Sequence, residues 1–144
     1  CNGKKETANY QAVSSGKTKH RECVKIDYYP KKTDIRSLLT IYIKSINPHD
    51  LKGQFTDRGS QYYPEIYFHN DAMKKNIPNI IRDLEKTYFP KENINIPIKQ
   101  LQSFYPAEEY HQDYAKKNPG SYKRYFIGSG RKKFLDKYLK RFKQ

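Results

Sequence analysis

Between Cys23 and Tyr29 apolar and polar residues alternate: Val24, Ile26 and Tyr28 fall on one side, Lys25 and Asp27 on the other. A period of two predicts a half-buried strand, which Pro30 ends. By the same alternation Glu22 shares the face of Val24 and Ile26, the one expected to be buried. Cys23 points to the opposite face and reads as a small core residue, not a nucleophile. The period then lengthens. Ile35, Leu38, Leu39, Tyr42, Ile43 and Ile46 form one helical stripe, with Thr33 or Asp34 available as its N-cap. Residues 47–61 read as a loop, longer than a compact domain usually leaves idle.

YPEIYF, residues 63–68, predicts a second strand, and Asn70 or Asp71 opens a helix through Ile77, Ile80, Ile81 and Leu84. Pro78 limits the first turn of that helix or kinks it. Ile94, Ile96 and Ile98 alternate as a short third strand, placed at an edge by Pro97. Pro106, with Glu108 and Glu109 behind it, predicts another helix start, because the helix dipole favours anions in the first turn. Last, Phe134, Leu135, Tyr138, Leu139 and Phe142 make an apolar stripe on a basic helix. Strands and helices are mixed, so the expected class is α/β (α+β).

Charge changes this picture at one end. Of 144 residues, 29 are Lys or Arg and 15 Asp or Glu, a net charge of +14. Nine of the basic residues lie in 123–144, against Asp136 alone. The chain therefore divides into a body, 1–122, and a basic amphipathic C-terminal tail, 123–144. Such a tail binds phosphate through counterion release, although a run of this kind is more often a solvated face. No apolar run approaches the 18 residues of a membrane span, and no secretory leader is present. Cys1 and Cys23 make neither a disulfide framework nor a metal knuckle, and that usage fits a reducing cytoplasm.

Candidate chemistry gathers in three places. FYPAEEYHQDY, residues 104–114, contains Glu108 and His111 in the E-x-x-H spacing of di-iron bundles, but no second copy exists. His20 and Glu22 make H-x-E, without the P-C-x-x-C that completes a zinc deaminase motif. A carboxylate on an apolar strand face would be desolvated and its pKa raised, which makes Glu22 a proton donor at neutral pH; the alternative is a frayed strand end in water. In TDRGSQYY, Gly59 permits a turn that aims Asp57 and Tyr62 into one cavity, or the stretch is an ordinary Asx turn.

Taken in order, SGKTKHRE (15–22), GSQYYPEIYFHN (59–70) and FYPAEEYHQDYAKKNP (104–119) resemble the A-type peptide methionine sulfoxide reductases, from about Asn2 to Tyr122. The resemblance implies a ferredoxin-like mixed sheet with flanking helices. It implies thiol-dependent reduction of methionine S-sulfoxide, in proteins and as the free amino acid, with a cysteine passing through sulfenic acid. It gives Glu22 the role of acid, Tyr10 and Tyr62 hydrogen bonds to the sulfoxide oxygen, and Asp57 a part in holding the pocket. FYPAEEYHQDY becomes support beside the site, neither acid nor metal centre.

The resemblance also implies that the family's G-C-F-W nucleophile segment is missing from the amino-terminal side of this chain. Cys1 then matches a loop position at a mobile end, and no resolving cysteine is present. On that expectation the chain carries the proton-donor half of the site and does not reduce sulfoxide alone. It needs no cofactor beyond an external thiol, thioredoxin-type or dithiothreitol; its partners are oxidised proteins and that reductant, with neither membrane nor nucleic acid. The rival expectation is a catalytically dead binding module whose basic tail meets nucleic acid or an acidic partner.

Overall fold

Two side chains that end one segment and begin the next set the helical frame. Asp34 accepts a hydrogen bond from the Ser37 N–H at 2.7 Å and starts α2 (Ile35–Ser45). Asn70 does the same for Met73 at 2.8 Å and starts α3 (Asp71–Tyr88). Each cap satisfies a donor that the first helical turn leaves without a partner. A shorter helix, α1 (Tyr10–Ser14), precedes them, capped by the Asn9 side chain on the Ala12 N–H. The computed structural model describes residues 1–143.

Between α2 and α3 the expected loop contains an antiparallel hairpin, β1 (Gly53–Gln54) with β2 (Asp57–Arg58). Phe55 turns it with a positive φ of 58°, a conformation that costs a non-glycine residue energy and so needs packing to hold it. That packing comes from the other end of the chain. The Arg131 guanidinium lies 4.5 Å over the Phe55 ring, and the Phe134 ring centroid is 5.4 Å away.

The predicted second strand is β3 (Ile66–Phe68), and it pairs in parallel with β4 (Ile98–Gln100). Parallel neighbours need a crossover, and α3 supplies it. Pro97 stands just before β4, and its carbonyl accepts the Ile66 N–H at 2.9 Å. Pro78 sits inside α3 and not in its first turn. The chain finishes with α4 (Tyr114–Lys117), α5 (Pro119–Gly128) and α6 (Arg131–Tyr138). The class is mixed α/β, as expected, with both ladders among the described residues two-stranded. No helix among the described residues is long and apolar enough to cross a membrane.

The core joins the inner faces of α2 and α3 to the strand region: Leu39, Ile43, Ile77, Ile81, Leu84, Ile66, Ile94 and Ile96 are buried, with Phe89. Burying each such side chain stabilises the fold by roughly 1.5–3 kcal/mol. The stripe foreseen in 123–144 completes it. Tyr138 is buried and its hydroxyl donates to the Ile43 carbonyl at 2.9 Å, while Phe134, Leu135, Leu139 and Phe142 pack alongside.

Three local expectations are corrected. Residues 22–29 are not a half-buried strand: they have no ladder partner, Val24 is 85% exposed, and Ile26 and Cys23 are exposed too. Alternation describes which way side chains point, but a strand needs a neighbour to accept its backbone hydrogen bonds. Cys1 is buried, not loose; its ammonium donates to the Arg21 carbonyl at 2.7 Å and its carbonyl accepts the Arg21 N–H at 3.0 Å. Finally, 104–114 is not a continuous helix. It runs irregularly to a single 3-10 turn at Glu109–His111, and Asp113 then takes a left-handed conformation (φ 53°) before α4.

Candidate active site

Gln61 places Glu22. Its backbone carbonyl accepts the Glu22 N–H at 2.9 Å, and its side-chain Nε2 donates to the Ser14 carbonyl at the end of α1 at 3.3 Å. One buried residue thereby ties the Glu22 segment to the helix that carries Tyr10. Gly59 makes room for this: a Cβ there would lie 2.6 Å from the Gln61 Oε1, and its φ of 124° with ψ of 162° belongs to a region that glycine alone occupies comfortably. The turn Ser60–Tyr62 that follows delivers Tyr62 beside Glu22.

Glu22, Asp57, Tyr62 and Tyr10 come together from four separate elements. The Glu22 carboxyl is raised above the ordinary value of 4.5, first because neighbouring protein displaces water from it and then because the Asp57 carboxylate repels its charge. The nearby His111 imidazole, then the Tyr62 hydroxyl and the Cys1 ammonium, pull the other way without overcoming these. Glu22 remains open to solvent over much of its surface, so the crowding is partial and local to the carboxyl. Tyr62 is itself raised, by burial first and then by the Glu22 and Asp57 charges, and Tyr10 adds to its surroundings. The raised Glu22 predicted from strand periodicity is therefore present, but for a different reason: the cluster shields the carboxyl, not an apolar sheet face.

Each member has a long-range support. Tyr10 is fixed through its backbone N–H, which the Glu108 Oε1 accepts at 2.9 Å. Asp57 accepts a hydrogen bond from the Tyr125 hydroxyl of α5. His111 lies against the Tyr10 ring at 5.1 Å between centroids and against Tyr110 at 4.3 Å. Neither His111 nor Tyr125 was singled out from sequence as part of the site. For His111 a signal existed, since it sits in the same motif as Glu108; for Tyr125 none did, because its contact to Asp57 joins residues 68 apart.

The remaining sequence candidates lie elsewhere. His20 is 2% exposed, with Nε2 bound to the Lys4 carbonyl at 3.0 Å, and its ring fills the space a Cβ on Gly3 would need. Cys23 is exposed, not a small core residue, and lies near the Tyr67 side chain. There Glu65, its side chain 4% exposed, accepts from Arg21 at 3.1 Å and Lys99 at 2.6 Å. That ion cluster holds the Glu22 segment to the parallel strands.

Chemically, the cluster offers a carboxyl inclined to keep its proton, two phenols and a neighbouring carboxylate. Such a set is able to donate a proton and hydrogen bonds to an oxygen placed among them. The family model described as peptide methionine sulfoxide reductase matches residues 1–143. Peptide methionine sulfoxide reductase MsrA 2 of Staphylococcus aureus strain Mu50 is 41% identical over 136 residues, covering 94% of this chain and 77% of that protein. The Bacillus licheniformis MsrA is 43% identical, covering 94% and 75%. Among solved structures, reduced Mxr1 from Saccharomyces cerevisiae superposes with a TM-score of 0.74 at 30% identity, over 83% of this chain and 68% of that one. With a family match of that extent and relatives at that identity, the chain belongs to the peptide methionine sulfoxide reductases, an oxidoreductase family.

Proposed function

We propose that this chain binds the S-epimer of methionine sulfoxide in peptides, and as the free amino acid, and supplies the proton on which its reduction depends. The single observation that carries this reading is the Glu22 carboxyl, held toward its protonated form beside Tyr62 and Asp57. Sulfoxide oxygen leaves poorly as an anion. Glu22 gives it a proton, and Tyr62 and Tyr10 donate hydrogen bonds to it as the sulfur–oxygen bond weakens. Asp57, restrained by Tyr125, keeps Glu22 from ionising too early.

In the overall step a thiol and the sulfoxide yield a thioether and a sulfenic acid: sulfur of the substrate gains two electrons, and the thiol sulfur loses them and takes the oxygen. Two further external thiols then return the sulfenic acid to thiol, releasing water and forming a disulfide. The attacking thiol is neither Cys1 nor Cys23. Cys1 is closed off from water and Cys23 lies near the Tyr67 side chain. The oxidised peptide and a thioredoxin-type or small-molecule thiol are the two partners this chemistry requires.

Binding tests the reading without requiring turnover. An N-acetyl methionine S-sulfoxide amide, titrated into the labelled protein, is expected to shift the Glu22, Tyr10 and Tyr62 resonances. The thioether analogue, lacking the oxygen, should not. Tyr62→Phe should weaken only the sulfoxide. Equal binding of sulfoxide and thioether would refute recognition through the oxygen.

A further inference from the structure

The hairpin that carries Asp57 is held at its base by its own neighbourhood and at its tip by the far end of the chain. Its ladder is two residue pairs long, and a lone two-stranded hairpin is marginally stable in water. At the base, the Arg58 Nη2 donates to the Asp50 Oδ1 at 3.1 Å. The Gln54 side chain donates to the Asn47 and Asp50 carbonyls, each at 3.0 Å. None of these contacts reaches the turn or the Asp57 carboxylate. The corner between α5 and α6 meets both. Among the described residues the Asp57 carboxylate accepts one hydrogen bond, from the Tyr125 hydroxyl. Phe55, left-handed at the turn, lies against the Arg131 guanidinium and beside Phe134.

The corner presents these side chains together. The Ser129 N–H donates to the Tyr125 carbonyl at 2.9 Å and the Gly130 N–H to the Ile127 carbonyl at 3.1 Å, closing α5. Gly130 then takes a left-handed conformation, φ 78°, which suits glycine at a helix end. Arg131 opens α6, and its Nη1 donates to the Ser45 carbonyl at the end of α2 at 3.3 Å. Tyr125 and Arg131 thus arrive at the hairpin from the two arms of one turn.

We infer that the α5–α6 corner is a positioning part of the site: Tyr125 and Arg131 dock it on the Asp57 hairpin, so that sulfoxide binding and docking of the corner are coupled. This rests on the proposed function and adds to it an element far along the chain. Tyr125 and Arg131 act through Asp57 and Phe55, so both are positioning residues. A carboxylate on so short a ladder keeps a fixed direction only while its one hydrogen-bond donor is in place. Coupling of this kind is reciprocal: whatever the docked corner adds to sulfoxide affinity, bound sulfoxide adds to docking.

The test is amide hydrogen exchange at Ser129 and Gly130 in the whole chain, with and without the N-acetyl methionine S-sulfoxide amide. Sulfoxide titrations of Tyr125→Phe, Asp57→Ala and the double variant accompany it. Saturating sulfoxide is expected to slow exchange at both corner amides, and the thioether to leave them unchanged. Tyr125→Phe should weaken sulfoxide binding at least about fivefold, the lower end of ordinary coupling between sites. In the Asp57→Ala background the same change should do nothing further, because the group it acts through is gone. A purely structural Tyr125 would weaken binding in both backgrounds, and that result would overturn the inference. Corner exchange unmoved by bound sulfoxide would overturn it as well, and decides alone if a variant fails to fold or binds too weakly to titrate. A wild-type protein that binds sulfoxide without response at the corner loses only the coupling. One that does not bind sulfoxide loses the proposed function, and the coupling with it.

Discussion

Glu108 accepts the backbone N–H of Tyr10 at 2.9 Å, joining residues 98 apart in sequence. The contact explains what an acidic pair does in FYPAEEYHQDY: it anchors a phenol that the sulfoxide reading needs. That hydrogen bond holds the Glu108 carboxyl below its ordinary value of 4.5. A depressed carboxyl stabilises the folded arrangement above its unfolded pKa, and the contribution disappears as pH falls through the folded value. Tyr10 is accordingly expected to stay ordered from neutral pH down to about 4.5, and to loosen below it. Amide exchange at Tyr10 checks this, and Glu108→Ala should show the loosened rate at every pH.

Glu22 works in the opposite direction. Its pKa is raised, so the folded state binds the proton more tightly than the unfolded chain does. Below 4.5 it neither helps nor harms; as pH rises through the raised value, ionisation costs stability. Glu22→Gln is therefore expected to be at least as stable as the wild type at pH 7 in urea unfolding. In any form of the protein that turns over, the same change should slow sulfoxide reduction by about 10²–10⁴-fold. A destabilised but active Glu22→Gln would invert the assignment.

Gly59→Ala should cost about 1–3 kcal/mol, because φ of 124° is strained for any residue with a Cβ. The new methyl would also press on Gln61, whose carbonyl holds the Glu22 N–H. Sulfoxide affinity should fall together with stability. A Gly59→Ala protein with the wild-type urea midpoint and wild-type binding would show that the turn tolerates what its backbone forbids.

Basic residues in 123–144 surround a working piece of core. Tyr138→Ala is expected to destabilise by about 3–5 kcal/mol, as large-to-small changes of buried aromatics do, and it also removes the hydrogen bond to the Ile43 carbonyl. Replacing the exposed Lys133, Lys137 and Lys140 with Gln should stay within about 0.5 kcal/mol. Thermal unfolding of the two variants side by side distinguishes a docked segment from a solvated one.

Sequence pattern located α2 and α3 well, because a cap residue and a long apolar stripe are both local properties and both are present. It failed at residues 22–29 because alternation says nothing about which strand supplies the ladder. The hairpin at Gly53–Arg58 was hidden because its turn uses Phe55, not glycine, and is held by Arg131 and Phe134 from far along the chain. In 104–114 the proline and acidic pair imitate a helix start, yet Glu108 spends its carboxylate on Tyr10 and not on a helix. Glu22, and Asp57 with Tyr62, were candidates from their own segments; a family resemblance spanning three segments added Tyr10 and gave all four their roles. Their supports, Tyr125 and His111, depend on tertiary contacts that no single segment displays.

The central claim is that Glu22 gives a proton to the sulfoxide oxygen. Its most direct measurement is the midpoint of the Glu22 carboxyl titration, followed by carbon-13 resonance with and without saturating ligand. A bound sulfoxide oxygen accepts a hydrogen bond from the acid form and from that form only, so it favours the protonated state. The midpoint should move to higher pH with the methionine S-sulfoxide amide and remain in place with the R epimer and the thioether. A midpoint that falls, or that responds equally to all three compounds, would contradict the account.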